Sequence, residues 1–337
     1  MRIELFDYKL PQKFIAQRPL PKRDDSKLLV LDKKTGSIKH DIFYNILNYL
    51  KKGDVLVVNE SKVSKCRLIG VKEKTGAKIE CFVLDKVENN DYLVLLKPAR
   101  RLKSEDKVYI GEYYFTVRSK LDYGKALVEF NGPAENIFKK HGIIPLPPYI
   151  KSKDVDRSRY QTVYARGDGS SAAPTAGLHF SKKLMEKIDN MGVIIAKVGL
   201  EIGLDTFRPI SSKEIEEHKM HSENYYIKDT EAEKIVSSKS MSNKVIAVGT
   251  TVVRVLETLM SKYGKIRGDR GATDIYIYPG YDFKIVDWMI TNFHLPRSTL
   301  LVMVSAFAGR EKILGAYRQA KKNDYRFYSF GDCMLIK

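Results

Sequence analysis

The 337-residue chain predicts an α/β fold with a small β module inserted in its middle. Three observations carry this. After Tyr160 apolar β runs alternate with helical segments, and the N-terminal stretch before Ser64 has the same texture. Between them, from Ser64 to Tyr149, short β segments follow one another with turn signals such as Thr75-Gly76 and Asn89-Asn90-Asp91, the pattern of a small barrel or sandwich. The stiff, helix-breaking PLPPYI, Pro145 to Ile150, ends that block and reads as a hinge. The expected domains are residues 1–63 with 151–337, one discontinuous α/β unit, and residues 64–150, the insert.

Taken in order, LLVLD is a strand, HDIFYNILNYLKKG is helical and DVLVVN is a strand. The insert supplies CRLIGVK, AKIECFVLDKV, DYLVLLKP, KVYIGEYYFTVRSKL and GKALVEF. YQTVYA then reads as a strand, and SKKLMEKIDNMG as a helix with Ser181 as N-cap and Gly192 past its end. VIIAKVGL is an apolar strand, DTEAEKIVSSKSM a helix capped by Asp229, and KVIAV a buried strand. In TTVVRVLETLMSKYG, Val252, Val255 and Leu259 share one helix face. TDIYIYP reads as a strand, STLLVMVSAFAG as a helix capped by Ser298 and stopped by Gly309, and EKILGAYRQAKKN as the last helix. The repetition predicts a mostly parallel sheet or a barrel-like α/β layer.

Charge narrows the partner. Lys and Arg number 59 against 41 Asp and Glu, a formal net charge of +18. That excess favours a polyanion, nucleic acid before anionic membrane; the bland alternative is a Lys-rich proteome. Cys66, Cys81 and Cys333 form no CxxC pair, which argues against a disulfide framework or a Cys-based zinc site and fits a reducing cytosol. MRIELFDYKL has no apolar signal-peptide core, and no apolar run reaches the roughly 18 residues that span a bilayer, so a cytoplasmic protein is expected.

Chemistry is sought at strand ends, where α/β sheets bind ligands. SSAAPTAGLHF, Ser170 to Phe180, is interrupted by Pro174 and Gly177 and avoids charge, so it is either a packed connection or backbone held against a ligand. Gly249-Thr250-Thr251 and Arg254 follow KVIAV and form a candidate anion site, with plain N-capping as the alternative. ITNFHLPRSTLL brings Asn292, His294 and Arg297 before a helix; His294 is either a site residue or a packed histidine. His218 and His221 have zinc-compatible spacing but no third ligand nearby, so proton transfer, phosphate contact or a solvated face fits better. Gly167, Gly169 and Ala172 imitate a dinucleotide fingerprint, which Pro174 rules out by blocking the helix that should follow. The polar clusters Asn59-Glu60-Ser61-Lys62 and Arg23-Asp24-Asp25-Ser26-Lys27 complete a possible cleft rim.

In order, IAQRPLPKRDDSKLLVL, GDVLVVNESKV, SSAAPTAGLHF, EEHKMHSENYY, VIAVGTTVVRVLE, TDIYIYPGYDFKIVDWMITNFHLPRSTLLVMVSAFAG and YRFYSFGDCMLI resemble the S-adenosylmethionine:tRNA ribosyltransferase-isomerases of queuosine biosynthesis, from near Leu5 to Ile336. The resemblance implies a flattened α/β barrel-like domain with an inserted small antiparallel β-barrel. It implies transfer and isomerisation of the ribosyl part of S-adenosylmethionine onto 7-aminomethyl-7-deazaguanine at the tRNA wobble position. The products would be epoxyqueuosine-tRNA, adenine and methionine, with no metal or organic cofactor and a monomer as the working unit. Two departures from the family pattern stand out: Leu200-Glu201-Ile202-Gly203-Leu204-Asp205-Thr206-Phe207, where Glu201 replaces a His and Asp205 a Gly, and Asp168-Gly169-Ser170, where Pro-Gly-Ser is usual.

On this reading His179, His221 and His294 are candidates for proton transfer, with Asp274 a weaker one. Asn59, Lys62, Thr175, Gly177, Thr250, Thr251 and Arg254 would bind substrate, and Phe180, Tyr278 or Phe293 would stack on adenine or face the sulfonium. Lys62, Arg100, Arg101 and Lys103 would hold the anticodon arm. A tRNA methyltransferase using the same co-substrate and a non-catalytic RNA-binding protein are the competing classes; the products formed separate them.

Overall fold

The computed structural model describes residues 1–152, 154–203 and 209–337; Asp205 of the first departure lies outside the described residues. The chain forms two compact units, Met1–Lys62 with Pro147–Lys337, and Val63–Leu146.

The first unit begins with β1 (Lys27–Leu31), β2 (Ile38–Ile42) and β3 (Val55–Asn59), and β4 (Ser61–Val63) leads out of it. The second unit holds β5 (Arg67–Lys72), β6 (Lys78–Glu88), β7 (Asp91–Lys97), β8 (Lys107–Ile110), β9 (Tyr113–Lys120), β10 (Lys125–Phe130) and α1 (Ala134–His141). The first unit resumes with β11 (Arg166–Ser170), α2 (Lys182–Asn190), β12 (Ile194–Leu200), β13 (Glu223–Ile227), α3 (Asp229–Ser240) and β14 (Val245–Val248). It ends with α4 (Thr250–Tyr263), β15 (Asp269–Thr273), β16 (Trp288–Asn292), α5 (Thr299–Ala308), α6 (Arg310–Lys322) and β17 (Cys333–Ile336).

The large sheet of the first unit has nine strands in the order β15-β13-β12-β3-β14-β16-β17-β1-β2. Its centre is parallel, β3 pairing with β12 and β14, and β14 with β16. Every residue of β3 and β14 is buried, as expected of strands covered on both faces. Period-two alternation sorts their side chains. Val55, Val57, Val245 and Ala247 join the core that contains residues of α3, α4, α5 and α6, while Leu56, Val58, Ile246 and Val248 join the one that contains α2. Parallel pairing sets the carboxyl ends of β12, β3, β14 and β16 on one edge, and the site is built there.

The second unit is a closed antiparallel barrel, β10-β7-β6-β5-β8-β9. Alternation in β7 and β10 sends Tyr92, Val94, Leu96, Ala126, Val128 and Phe130 inward. Phe138 of α1 packs edge-on against Tyr92 and Phe130, closing the interior.

The α/β class and the inserted barrel are as the sequence predicts, and several elements differ. The sheet is mixed, since β1–β2, β12–β13, β13–β15 and β16–β17 pair antiparallel. HDIFYNILNYLKKG is not one helix: residues up to Ile42 pair with β1, and only Phe43–Asn48 coils, as a 3-10 helix. YQTVYA is turn, and the strand follows it as β11, whose Arg166 N–H is held by the Glu60 carbonyl at 2.7 Å. TDIYIYP leaves the sheet after Thr273, where the Thr273 hydroxyl accepts the Ile275 N–H at 3.2 Å and turns the chain. Asp229 is the first residue of α3 rather than its cap, and its carboxylate accepts the Gly268 N–H at 3.0 Å. KVYIGEYYFTVRSKL is a hairpin, bent at Gly111 with φ +60°. Among the described residues no helix is long and apolar enough to cross a membrane.

Candidate active site

A solvent-open cleft with about 990 Å³ of empty space lies at the carboxyl edge of the parallel strands, and its wall comes from distant parts of the chain. Pro174–Ala176 come from the small-residue loop, Gly249–Thr251 and Arg254 from the start of α4, and Thr291–Leu295 from the end of β16.

The small-residue loop turns through a 3-10 helix, Thr175–His179. Thr175 Oγ1 donates to Asn292 Oδ1 at 2.9 Å, tying this loop to β16. Gly177 packs behind it: a Cβ there would collide with Tyr164 Oη. The loop therefore lines the cleft at Thr175 and is packed interior at Gly177.

α4 follows Gly249, whose φ of +94° suits glycine, and no side chain among the described residues caps its first turn. The Asn59 amide donates to Thr251 Oγ1 at 3.3 Å and to the Leu200 carbonyl at 3.1 Å, so Asn59 is a buried bracket between strand ends and α4. The uncapped N–H groups and the helix dipole face the cleft and suit an anion.

Arg254 also lines the cleft, but its Nη1 donates to the Glu223 carboxylate and its Nη2 to the Thr273 carbonyl at 3.0 Å. The expected free cation is thus half of a buried ion pair. Among the described residues its Nε has no hydrogen-bond partner, and neither has the Tyr276 hydroxyl, another cleft residue. Glu223 further accepts from the Gly203 N–H at 3.0 Å and contacts His221 Nε2 at 3.0 Å. Burial would raise the Glu223 carboxyl, but the His221 hydrogen bond and the Arg254 charge outweigh it and hold its pKa below the usual value.

The three histidines differ. His221 is partly exposed beside Glu223; it is not itself in the cleft lining, but Met220 and Glu223 on either side of it are. His294 lines the cleft, contacts Thr291 Oγ1 through Nε2 at 2.8 Å, and has its pKa lowered to about 3 by burial. Its carbonyl accepts from the Tyr8 hydroxyl. His179 lies outside the cleft lining, between Ser26 Oγ at 2.7 Å and Asn292 Nδ2 at 3.0 Å. Burial, aided by Arg326 and Arg23, lowers its pKa to about 3.

Other expected residues stand elsewhere. Phe180 is core, edge-on to Phe43 at 4.9 Å, and is no stacking surface. Phe293 reaches the cleft but its ring packs among Tyr317, Tyr325 and Phe327. Tyr278 is half-buried against Tyr276 and is not in the lining. Lys62 is exposed in β4, Asp274 is exposed after β15, and Arg100, Arg101 and Lys103 are exposed in the barrel unit. Glu223, Tyr276 and Ser329 escaped the sequence reading. Glu223 had a signal, because His221 and Glu223 lie two apart at the start of a strand and so share a face. Among the described residues no group of three or more His, Cys, Asp or Glu could hold a metal ion.

Comparison with known proteins places these features in context. Residues 3–336 match the model of the family described as queuosine biosynthesis protein. The chain is 52% identical to the S-adenosylmethionine:tRNA ribosyltransferase-isomerase of Acetivibrio thermocellus and 48% identical to that of Staphylococcus haemolyticus, over 100% of each chain. The crystal structure of the S-adenosylmethionine tRNA ribosyltransferase from Thermotoga maritima is similar at 36% identity and a TM-score of 0.57, covering 99% of this chain and 100% of that one. With the match running from one end of the sequence to the other, the chain belongs to the queuosine biosynthesis protein family.

Proposed function

We propose that this protein is an S-adenosylmethionine:tRNA ribosyltransferase-isomerase acting in queuosine biosynthesis. It transfers the ribosyl group to 7-aminomethyl-7-deazaguanine at the tRNA wobble position and isomerises it to the epoxide of epoxyqueuosine. It works in the cytoplasm as a monomer, with S-adenosylmethionine as co-substrate and without a metal or organic cofactor. One observation carries the reading: Thr175, Thr251, Arg254 and His294, from segments that resemble the family, line a single cleft.

The residues divide the work by their environments. The uncapped start of α4 at Thr250 and Thr251 takes the methionine carboxylate. Arg254 Nε and the Tyr276 hydroxyl donate to polar atoms of the bound nucleoside, and Asn59 keeps α4 in register with the strand ends. The sulfonium acidifies the ribose C5′–H, and His221 takes that proton while the Glu223 carboxylate steadies the imidazolium that forms. The resulting C5′ carbanion expels the ring oxygen from C4′. The aminomethyl nitrogen of the tRNA base adds at C4′ as one of its N–H protons passes to solvent and the electron pair returns to C5′. Adenine leaves C1′ with the proton returned by His221 as a carbonyl forms there, and C5′ then bonds to C1′ to leave an alkoxide. Methionine then departs as a neutral thioether, its sulfur keeping the C–S electron pair as the epoxide closes. His294 and His179 are neutral at pH 7 and serve as fixed hydrogen-bonding groups that position Thr291 and Asn292. Lys62, Arg100, Arg101 and Lys103 contribute positive charge toward the anticodon arm.

Incubating the protein with S-adenosylmethionine and precursor-bearing tRNA tests this by mass spectrometry. Release of adenine and methionine with ribosyl mass gained by the wobble base is expected. A methyl gain with S-adenosylhomocysteine, or tRNA binding without turnover, would overturn the assignment.

A further inference from the structure

A second pocket in the same unit, with about 290 Å³ of empty space, is far more cationic than the cleft. Lys22, Arg23, Arg159 and Arg326 line it beside Ser26 and His179, and its lining contains no carboxylate among the described residues. Two of its three guanidiniums are fixed by neutral acceptors. Arg23 donates to the carbonyls of Leu178 at 3.1 Å and Gln161 at 2.8 Å, and Arg159 to those of Pro21 at 3.1 Å and Leu20 at 2.9 Å. A carbonyl orients a guanidinium without cancelling its charge, so the pocket keeps a net positive field. Three carboxylates stand near it, outside its lining, and accept hydrogen bonds from neutral donors. Asp24 accepts from Ser181 Oγ at 2.6 Å, Asp156 from the Ser158 N–H at 2.9 Å, and Asp332 from the N–H groups of Lys27 and Arg326 at 3.0 and 2.7 Å. Asp332 also pairs with the Arg326 guanidinium at 3.8 Å and offsets part of that charge.

The pocket adjoins the cleft. Ser329 lines both, and the 3.0 Å contact between His179 and Asn292 joins one lining to the other. An anion covalently attached to a group in the cleft can therefore reach these cations. We propose that this pocket is a phosphodiester subsite, holding the RNA backbone phosphate next to the nucleotide whose base enters the cleft. The inference rests on the tRNA reading above. A base extruded from its stack needs its backbone clamped, and arginines pre-oriented by carbonyls supply forked donors for phosphate oxygens.

The alternative source of the anion is the methionine carboxylate of S-adenosylmethionine, and kinetics separates the two. Lys22→Gln, Arg326→Gln and the double variant are compared with wild type for binding of an anticodon stem–loop RNA by fluorescence anisotropy across a KCl series. KM for each substrate is measured alongside. The double variant is expected to bind the RNA about tenfold more weakly, with the slope of log K against log[salt] reduced by about 0.7 for each phosphate it no longer neutralises. KM for tRNA should rise while KM for S-adenosylmethionine and kcat stay as in wild type. Lys265→Gln, exposed just past the far end of α4, removes one charge and should leave the slope unchanged. Unchanged RNA affinity and slope in the double variant would overturn the proposal, as would a rise in KM for S-adenosylmethionine alone. Arg326 also donates to the Arg18 carbonyl at 3.2 Å, so melting curves accompany each variant. Lys22 is exposed, and its single variant still decides the matter if Arg326→Gln unfolds. Should wild type bind RNA without releasing adenine, the transferase reading fails while the salt comparison still judges the pocket.

Discussion

Glu223 and Arg254 are a buried ion pair, each side chain only 3% exposed, at the floor of a cleft that also holds the free start of a helix. Removing one partner strands the other charge in a low-dielectric site, which costs about 3–5 kcal/mol. Glu223→Ala should lower the melting temperature sharply, and Glu223→Ala with Arg254→Met should recover part of the loss. A double variant no more stable than the single one would mean that the cost lies in packing. The pair also has a pH signature. The Glu223 pKa is lowered in the fold, so its contribution is complete above the unfolded carboxyl value and is lost as pH falls through the folded one.

His221 is the histidine whose surroundings suit proton transfer, being partly exposed and set against a carboxylate. His221→Gln should reduce kcat by about 10²–10⁴-fold, the usual worth of a general base, with KM for S-adenosylmethionine nearly unchanged and the melting temperature preserved. Retention of most of the turnover would move the base to another group.

Much of this was readable because local rules and tertiary packing agree. Ser181 and Ser298 cap their helices, with hydroxyls accepting the Leu184 and Leu301 N–H groups at 3.1 and 3.2 Å. The apolar VIAV of KVIAV is a central strand for the reason its composition suggests. TDIYIYP failed because alternating aromatics fit a strand locally, while Tyr276 instead packs against the His218 ring at 5.3 Å. Arg254 was placed correctly at the cleft and given the wrong freedom, since its partner Glu223 lies 31 residues earlier and only the fold joins them. The same limit hid the cationic pocket, whose members come from sequence-distant loops.

His179 and His294 make stability pH-dependent in a defined direction. Both have pKa values lowered to about 3 from an ordinary 6.5, so between those limits the unfolded chain binds protons that the fold excludes. Stability should therefore fall as pH drops below about 6.5 and keep falling toward 3, by at most about 1.4 kcal/mol per pH unit for each histidine. Melting temperatures of His179→Gln and His294→Gln should depend less steeply on pH between 7 and 5 than those of wild type. Parallel curves would show that other groups govern the acid limb.

Gly177 separates packing from ligand contact in the small-residue loop. A Cβ there would collide with Tyr164 Oη and lie 2.8 Å from Thr162 Cγ2, so Gly177→Ala must displace one neighbour and should cost about 1–3 kcal/mol. The Tyr164 hydroxyl has no hydrogen-bond partner among the described residues, so Tyr164→Phe on its own should cost little. Combining the two removes the closest approach and leaves Tyr164 Cζ at 3.0 Å and Thr162 Cγ2 at 2.8 Å, so rescue should be partial. A double-mutant cycle by thermal melting measures the coupling. Strict additivity would show that the cost of Gly177→Ala arises from Thr162 or the backbone. If stability recovers in the double variant but KM for S-adenosylmethionine stays high, Gly177 contacts the ligand after all.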